Sequence, residues 1–186
     1  MDVKQAIRQR RTIRRFENKP ISETTLRSLV DMSRLYASGG NRQPIRYIAV
    51  NTQKVLDEIF PLLRWAAYLP DFKISLEQRP MAYIILTCEE KHSVQFDVGA
   101  AATTLMLAAE GEGLGTCCLG AFDSKRLKDI LHLDESTEPA LVIALGYPDQ
   151  CSKAVDYTGD VRYYEDETGC LCVPKRKIED VLTWII

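Results

Sequence analysis

Arginine side chains are concentrated near the start of the chain. Arg10, Arg11, Arg14 and Arg15 lie there together with the hydroxyl group of Thr12. Arginine presents a planar fork of N–H donors that matches phosphate oxygens, so this cluster could bind a phosphate group. The same residues could instead form a solvated basic surface or a loose nucleic-acid patch, and their spacing alone leaves these alternatives open.

A second polar segment, residues 38–44, is rich in residues that form turns. It reads Ser-Gly-Gly-Asn-Arg-Gln-Pro. The two glycines allow backbone N–H groups to approach a ligand closely. The side-chain amides of Asn41 and Gln43 offer donor and acceptor edges that suit a heteroaromatic ring. Taken alone, the segment could also be a plain turn between a helix and a strand.

The sequence has no recognisable set of residues for nucleophilic or metal-dependent catalysis. It has two histidines, His92 and His132, and neither an H-E-x-x-H motif nor a P-loop. The C-x-C spacing of Cys170 and Cys172 differs from that of redox and zinc motifs. No metal site is therefore predicted, and any enzymatic chemistry would have to be carried by a cofactor.

The composition is that of an ordinary folded protein with an uneven charge distribution. The 186 residues include 24 Lys and Arg and 26 Asp and Glu, for a net charge of −2. Residues 1–19 hold seven basic and two acidic side chains, so they carry +5 and the remainder carries −7. An apolar content of 46% argues against disorder and against a disulfide-stapled mini-protein. The slightly acidic balance does not suggest a general nucleic-acid binder.

The chain is expected to form one domain over residues 1–186, because no Pro-, Gly- or Ser-rich linker divides it. No apolar run approaches the roughly 18 residues of a membrane-spanning helix. The N-terminus lacks the apolar core of a secretion signal, so we expect a cytoplasmic protein without a membrane partner. In such a compartment the six cysteines are expected to be reduced thiols.

Helices interleaved with a few strands are predicted to position the polar segments. Apolar spacing and capping residues predict helices over residues 2–10, 22–36, 53–67, 94–110 and 124–132. Short apolar runs predict strands over residues 47–50, 81–88, 116–119 and 140–145. This order is typical of an α+β layer structure. The many small residues in the 94–110 helix predict that it is central, buried or in an interface.

The ordered set of motifs resembles the FMN-dependent nitroreductase family. Residues 10–16 are similar to the family's R-R-S-x-R-x-F opening, with Thr12 in the usual place of serine, and residues 38–44 to its S-G-G-N-x-Q-P loop. Further resemblances, to the family's central helix, glycine turn and later segments, lie at residues 97–101, 113–116, 120–123, 144–148 and 173–177. The matches keep the family's order and span nearly the whole chain.

This resemblance implies an α+β, nitroreductase-like fold with a mixed, mainly antiparallel sheet flanked by helices. It also implies an intertwined homodimer with two FMN sites at the subunit interface. The residues that would bind FMN, some of them from the partner subunit, are Arg10, Arg11, Thr12, Arg14, Ser38, Gly39, Asn41, Gln43, Gly120, Ala121, Lys175, Arg176 and Lys177. Gly120 and Ala121 would lie beside the flavin N5 edge, and residues 175–177 would return to the phosphate.

The family resemblance also implies an activity. NADH or NADPH would give a hydride to FMN and depart, and a small electron-poor acceptor such as a nitroaromatic or a quinone would then take the electrons in a ping-pong cycle. No side chain of the chain itself is predicted to be catalytic. Planar substrates could contact Trp65, Tyr68 and Phe72, although Trp65 could equally belong to the core.

Other functions stay open at this point. One is a specialised flavin reaction on the same fold, either reductive dehalogenation or flavin fragmentation. Another is a flavin-binding or regulatory protein without turnover. The third is a nucleic-acid binder that uses the basic arm, whose binding would weaken steeply with salt.

Overall fold

The core of the molecule is a four-stranded antiparallel sheet between two layers of helices. The computed structural model describes residues 1–89 and 94–185. Within them the helices are α1 (Val3–Gln9), α2 (Glu23–Ser33), α3 (Gln53–Ile59), α4 (Gln95–Gly111) and α5 (Ser124–Leu131). The strands of the sheet, in the order β1-β2-β4-β3, are β1 (Arg46–Val50), β2 (Ala82–Cys88), β3 (Gly115–Leu119) and β4 (Glu138–Gly146).

Strand β2 lies at the centre of the core and is buried along its whole length. Because successive side chains of a strand point to opposite faces, Ile84 and Leu86 enter one apolar cluster while Tyr83 and Ile85 enter the other. The first cluster joins the sheet to α2 and α4, and the second joins it to α3 and α5. A continuous apolar run such as residues 81–88 is what burial on both faces requires.

Helix α4 presents one face to the core and another to the surface. Ala101, Ala102, Leu105 and Ala109 are buried, whereas the ring of Phe96 is 89% exposed. The small side chains let α2 approach closely, and the hydroxyl of Ser33 on α2 donates to the Ala101 carbonyl at 2.9 Å. None of the helices in the described ranges is long and apolar enough to cross a membrane.

The extended segment that follows α1 packs tightly against two glycines of the sheet. Gly115 on β3 and Gly146 on β4 are paired with each other across the ladder. A Cβ atom at Gly115 would lie 2.8 Å from Ile13, and one at Gly146 would lie 2.6 Å from Phe16. Only hydrogen atoms fit at these two points, so the glycines fix how closely the segment approaches the sheet.

A second, smaller sheet follows β4 and was not predicted from the sequence. It consists of β5 (Ser152–Asp156), β6 (Tyr164–Glu165) and β7 (Leu171–Lys175), in the order β5-β7-β6. Strands β5 and β7 are parallel, whereas β6 and β7 are antiparallel. β5 and β6 are short and mostly exposed, so they lack the apolar run that reveals a buried strand, and only the first two residues of β7 are buried.

A disulfide bond between Cys151 and Cys170 joins the beginnings of β5 and β7. The expectation that all six cysteines are reduced is therefore wrong for this pair. Cys88, Cys117, Cys118 and Cys172 remain free thiols. Spacing could not reveal the bond because the two residues are 19 positions apart and only the pairing of β5 with β7 brings them together.

The largest error in the predicted elements concerns residues 53–67. Helix α3 ends at Ile59, and a single 3-10 turn, Phe60–Leu62, replaces its continuation. Pro61 lacks a backbone donor and disfavours continuation of an α-helix, and Leu63 is already extended and bridges to Phe122. The other predicted helices and strands are present, with ends that differ by a few residues.

Replacement of Gly146 by alanine should destabilise the fold by about 1–3 kcal/mol, because the added methyl group overlaps the Phe16 side chain. Urea unfolding of the Gly146→Ala variant measures this loss. Gly111→Ala is the matched control, since its Cβ meets no atom within 4 Å. Equal unfolding free energies for the two variants would contradict the packing described here.

Reduction of the Cys151–Cys170 bond should lower the free energy of unfolding by roughly 3 kcal/mol, the value expected when a loop of about 20 residues is released. Urea unfolding with and without a phosphine reductant measures the change. The double variant Cys151→Ser/Cys170→Ser should be equally destabilised and insensitive to the reductant. Cys118→Ser, at an exposed free thiol, should respond to the reductant as the natural chain does.

Candidate functional site

The arginine-rich segment is anchored to the end of β3 and to the residues just after β4. Thr12 forms a parallel bridge with Thr116, and the Ile13 N–H donates to the Thr116 carbonyl at 2.9 Å. Phe16 forms an antiparallel bridge with Pro148. Ile13 packs over Gly115 and Phe16 over the paired Gly146, so both side chains meet the same face of the sheet and Arg14 lies between these two anchors.

Arg14 is the most deeply buried cation of the segment, with 8% of its surface exposed. Its guanidinium lies 4.5 Å from the centre of the Tyr163 ring, and its backbone N–H donates to the side chain of Gln150 at 2.9 Å. Burial raises the pKa of the neighbouring Cys117 thiol to about 12, and the charge of Arg14 opposes that shift. Arg14 thus lies beside β3 in a largely desolvated place.

Arg14 also holds unused hydrogen-bonding capacity. Among the described residues, the buried atoms without a hydrogen-bond partner include its Nε and Nη1 and the hydroxyl oxygen of Thr116. Buried polar groups are almost always paired, and an unsatisfied charged donor is costly. Unpaired guanidinium donors of this kind suit a ligand that carries acceptor oxygens.

Arg11, another predicted member of the basic cluster, has hydrogen-bond partners within the chain. The Arg11 guanidinium donates to the carbonyl oxygens of Arg8 (2.7 Å) and Arg10 at the end of α1. Burial and the adjacent charge of Arg10 lower the pKa of Arg11. The structure therefore uses Arg11 partly to cap a helix.

Two further cations of residues 1–19 stabilise the fold rather than extend the cluster. Arg15 forms an ion pair with Glu165 at 3.0 Å and lies 4.3 Å from the centre of the Phe72 ring. The ammonium group of Lys19 lies 3.7 Å from the centre of the Tyr147 ring. Part of the +5 charge is thus used within the fold, and the role of the remaining cations in binding a phosphate stays a prediction.

The loop of residues 38–43 has an unusual backbone. The φ values of Gly40, Asn41 and Gln43 are 59°, 53° and 51°. They lie in the left-handed region, which residues other than glycine rarely adopt. The Ser38 hydroxyl accepts the Gln43 N–H at 2.9 Å, and the Gln43 amide donates to the Asn41 side chain at 3.1 Å. Such strain is typical of ligand-binding loops. The hydrogen bonds described for the loop stay within residues 38–46.

Gly120 and Ala121 follow directly from β3, on the same line as the arginine-rich segment. The Ala121 carbonyl accepts the Arg64 N–H at 3.0 Å, which ties this turn to the chain after α3. A strand rises about 3.3 Å per residue, so Gly120 lies roughly 13 Å beyond Thr116. The Gly120 turn thus lies beyond the opposite end of β3 from the Thr12–Thr116 bridge.

The basic residues 175–177 occupy the end of β7. The Lys175 carbonyl accepts the Tyr157 N–H at 3.0 Å, and the Arg176 guanidinium lies 4.7 Å from the centre of the Tyr157 ring. The Lys177 N–H donates to Asp180 at 3.3 Å. These contacts place Arg176 on Tyr157, so its approach to the N-terminal arginines stays a prediction.

The three aromatic substrate candidates point to different neighbours. Trp65 stacks on Phe60 at 5.6 Å and packs against the core, in line with its alternative role there. Phe72 lies under Arg15. Tyr68 is half exposed and contacts the Tyr163 ring at 5.0 Å. The described contacts do not join the three into one binding surface.

Sequence reasoning missed Thr116, Gln150 and Tyr163, which contact the arginine-rich segment. Gln150 lies 136 positions from Arg14, so no local pattern could have linked them. His132 caps α5 with a left-handed backbone, and His92 lies outside the described residues. Within residues 1–89 and 94–185, no group of three or more His, Cys, Asp or Glu could hold a metal ion.

Comparison with known proteins finds similar proteins in archaea and bacteria. A protein from Archaeoglobus fulgidus, provisionally named NADH dehydrogenase/NAD(P)H nitroreductase, is 28% identical over 150 residues, which cover 75% of this chain and 81% of that protein. The 4-nitrobenzoate reductase of Pseudomonas putida is 25% identical over 196 residues, which cover 80% of this chain and 86% of that protein.

Solved structures give the same answer for the fold. A provisionally assigned nitroreductase from Desulfovibrio desulfuricans, solved with FMN, superposes with a TM-score of 0.66 at 26% identity, over 81% of this chain and 88% of that one. A Bacteroides thetaiotaomicron protein, provisionally named NADH dehydrogenase/NAD(P)H nitroreductase, reaches a TM-score of 0.69 at 24% identity, over 84% and 93% of the two chains. The nitroreductase-like fold expected from the sequence is confirmed.

A model of the Nitroreductase family matches residues 7–80 and 80–147 of this chain. These ranges contain the arginine-rich segment, the loop of residues 38–43, and the β3 strand with the Gly120 turn. The match covers well over half of the sequence, and the chain belongs to the Nitroreductase family.

Proposed function

We propose that this chain is an FMN-dependent oxidoreductase that takes electrons from NADH or NADPH and delivers them to small electron-poor acceptors such as nitroaromatics and quinones. The observation that carries the proposal is the buried Arg14 guanidinium, with two unpaired N–H donors beside β3. Family membership, the FMN complex of the Desulfovibrio relative and the name of the Pseudomonas relative support it.

The residues present fit FMN. Arg14 and Thr116 offer buried donors without partners, and a flavin ring or a phosphate provides acceptor oxygens for them. Donors fixed before the ligand arrives need little reorganisation, which favours binding. Burial raises the pKa of the nearby Glu110 carboxyl group, and the charges of Arg10 and Arg11 oppose that shift.

Each part of the site would have its own task in binding the cofactor. Arg10, Thr12 and Arg14 would hold the phosphate, the ribityl chain or the pyrimidine edge. The backbone groups of Gly120 and Ala121 would approach the ring, and residues 175–177 would add positive charge. When bound, FMN supplies the two-electron transfer that no side chain of the protein can perform.

The strained loop of residues 38–43 would serve a second subunit. Asn41 and Gln43 are exposed, so a partner's cofactor could reach them, in exchange for the hydrogen bonds that they make within the loop. Exposed apolar side chains on α1, α4 and the C-terminal segment support a homodimer: Val3, Ile7, Phe96, Trp184 and Ile185. We propose that residues 1–186 form one domain of such an intertwined dimer.

The residues around the site explain why the acceptor can be small and varied. The chain would bind and orient one planar molecule at a time above the cofactor, so donor and acceptor would use the same open face in turn. Tyr68 is half exposed beside Tyr163 and is the aromatic candidate nearest to Arg14 through that contact. It could provide a flat apolar surface for such molecules.

Loss of the Arg14 charge should weaken FMN binding. The Arg14→Met variant should bind FMN roughly 10- to 100-fold more weakly, because a hydrogen bond to a charged group contributes about 1.5–3 kcal/mol. Quenching of FMN fluorescence during titration measures the dissociation constant. Arg34→Met is the matched control, since Arg34 is exposed on the far side of α2 in an ion pair with Asp31. Equal affinities of the two variants would remove Arg14 from the site.

The electron donor and acceptor can be identified with the FMN-loaded protein. Under anaerobic conditions NADH or NADPH should bleach the visible absorption band of the bound flavin, at roughly 450 nm. A nitroaromatic or quinone should then restore this absorption. A colourless protein that takes up no FMN would overturn the proposal. Restoration by a halotyrosine alone would favour the dehalogenase alternative, and salt-sensitive DNA or RNA binding that Arg10 and Arg11 alone control would favour the nucleic-acid alternative.

A further inference from the structure

We propose that Tyr163 is a positioning residue, which holds the Arg14 guanidinium in the orientation that the cofactor requires. This inference rests on the proposed function and deepens it, since it assigns part of the FMN site to the second sheet. Tyr163 lies between β5 and β6, beyond the residues that the family model matches.

The geometry of the contact leaves Arg14 free to donate. The guanidinium carbon lies 4.5 Å from the Tyr163 ring centre, so the ring covers the cation through a cation–π contact. The N–H groups of a guanidinium lie in its plane and point away from a partner stacked on its face. Nε and Nη1 of Arg14 are buried without hydrogen-bond partners among the described residues. The ring thus fixes the cation without consuming its donors.

Tyr163 contacts Tyr68, and the residues on both sides of it in the sequence are also anchored. The Tyr163 hydroxyl oxygen accepts the Tyr68 backbone N–H, with 3.5 Å between oxygen and nitrogen. The centres of the two rings are 5.0 Å apart, and the ring planes form an angle of 54°. On the preceding side, Arg162 forms an ion pair with Asp160 at 2.6 Å, and its backbone N–H donates to the same carboxylate at 2.9 Å. Tyr164, the next residue, pairs with Cys172 in the second sheet.

The main chain of Arg14 is fixed by the same part of the molecule. Gln150, just before the disulfide-bonded Cys151, accepts the Arg14 backbone N–H at 2.9 Å. Backbone and side chain are therefore both positioned by residues 150–163. A long side chain such as arginine otherwise loses rotamer freedom when it is immobilised at a ligand, so prior immobilisation should appear as tighter cofactor binding.

The test measures FMN dissociation constants for four variants of the full chain. Tyr163→Leu removes the π face and should weaken FMN binding roughly 3- to 30-fold, the range expected for a desolvated cation–π contact. Tyr163→Phe keeps the ring and should bind FMN within about twofold of the natural chain. If the hydroxyl group of Tyr163 were what mattered, this variant would instead lose affinity as Tyr163→Leu does. Arg14→Met and the double variant Arg14→Met/Tyr163→Leu complete a double-mutant cycle.

If Tyr163 acts through Arg14, the leucine substitution should add no further loss once Arg14 is methionine. An unchanged affinity of Tyr163→Leu, or an equal loss in both backgrounds, would overturn the inference. Should Tyr163→Leu fail to fold, as judged by thermal unfolding, Tyr163→Met carries the same test. A natural chain that binds no FMN would instead overturn the proposed function, so the two failures are distinguishable.

Discussion

The packing of one extended segment against two paired glycines governs the rest of the site. Ile13 and Phe16 lie so close to Gly115 and Gly146 that no side chain fits between them. This contact fixes where residues 12–16 lie on the sheet, with Thr12 bridged to Thr116 on β3 and Phe16 bridged to Pro148 after β4. Arg14 lies between these two anchored positions and is itself buried, and a buried charge is costly unless a partner satisfies it.

Much of the fold could be predicted because its core follows simple periodicities. The apolar run of β2 and the many small residues of α4 indicate from the sequence alone that these elements are buried. The second sheet could not be predicted, since β5 and β6 are short and mostly exposed and its parallel pair depends on a contact between distant residues. The helix expected through residues 53–67 failed at Pro61, where the missing donor outweighed the continuing apolar spacing.

The candidate site, like the fold, could be predicted from the sequence only in part. The arginine-rich segment, the strained loop and the glycine turn are local patterns, so sequence reasoning could find them. The division of the positive charge could not be foreseen, because it depends on partners such as Glu165, Phe72 and Tyr147 that only the fold brings close. Spacing shows that cations are present, whereas their desolvation and pairing decide which of them remain available to a ligand.

The hydrogen bond between Arg14 and Gln150 also bears on how the molecule folds. This hydrogen bond closes a loop of 136 residues. The chain therefore loses the entropy of loop closure before the contacts between Arg14 and Gln150 can offset that loss. During synthesis the arginine-rich segment emerges long before its partners around residues 150–163. The nascent chain can thus build the four-stranded sheet, whose last strand ends at Gly146, before the surroundings of Arg14 are complete. Binding of a cofactor at the proposed site would then follow folding of the core instead of guiding it.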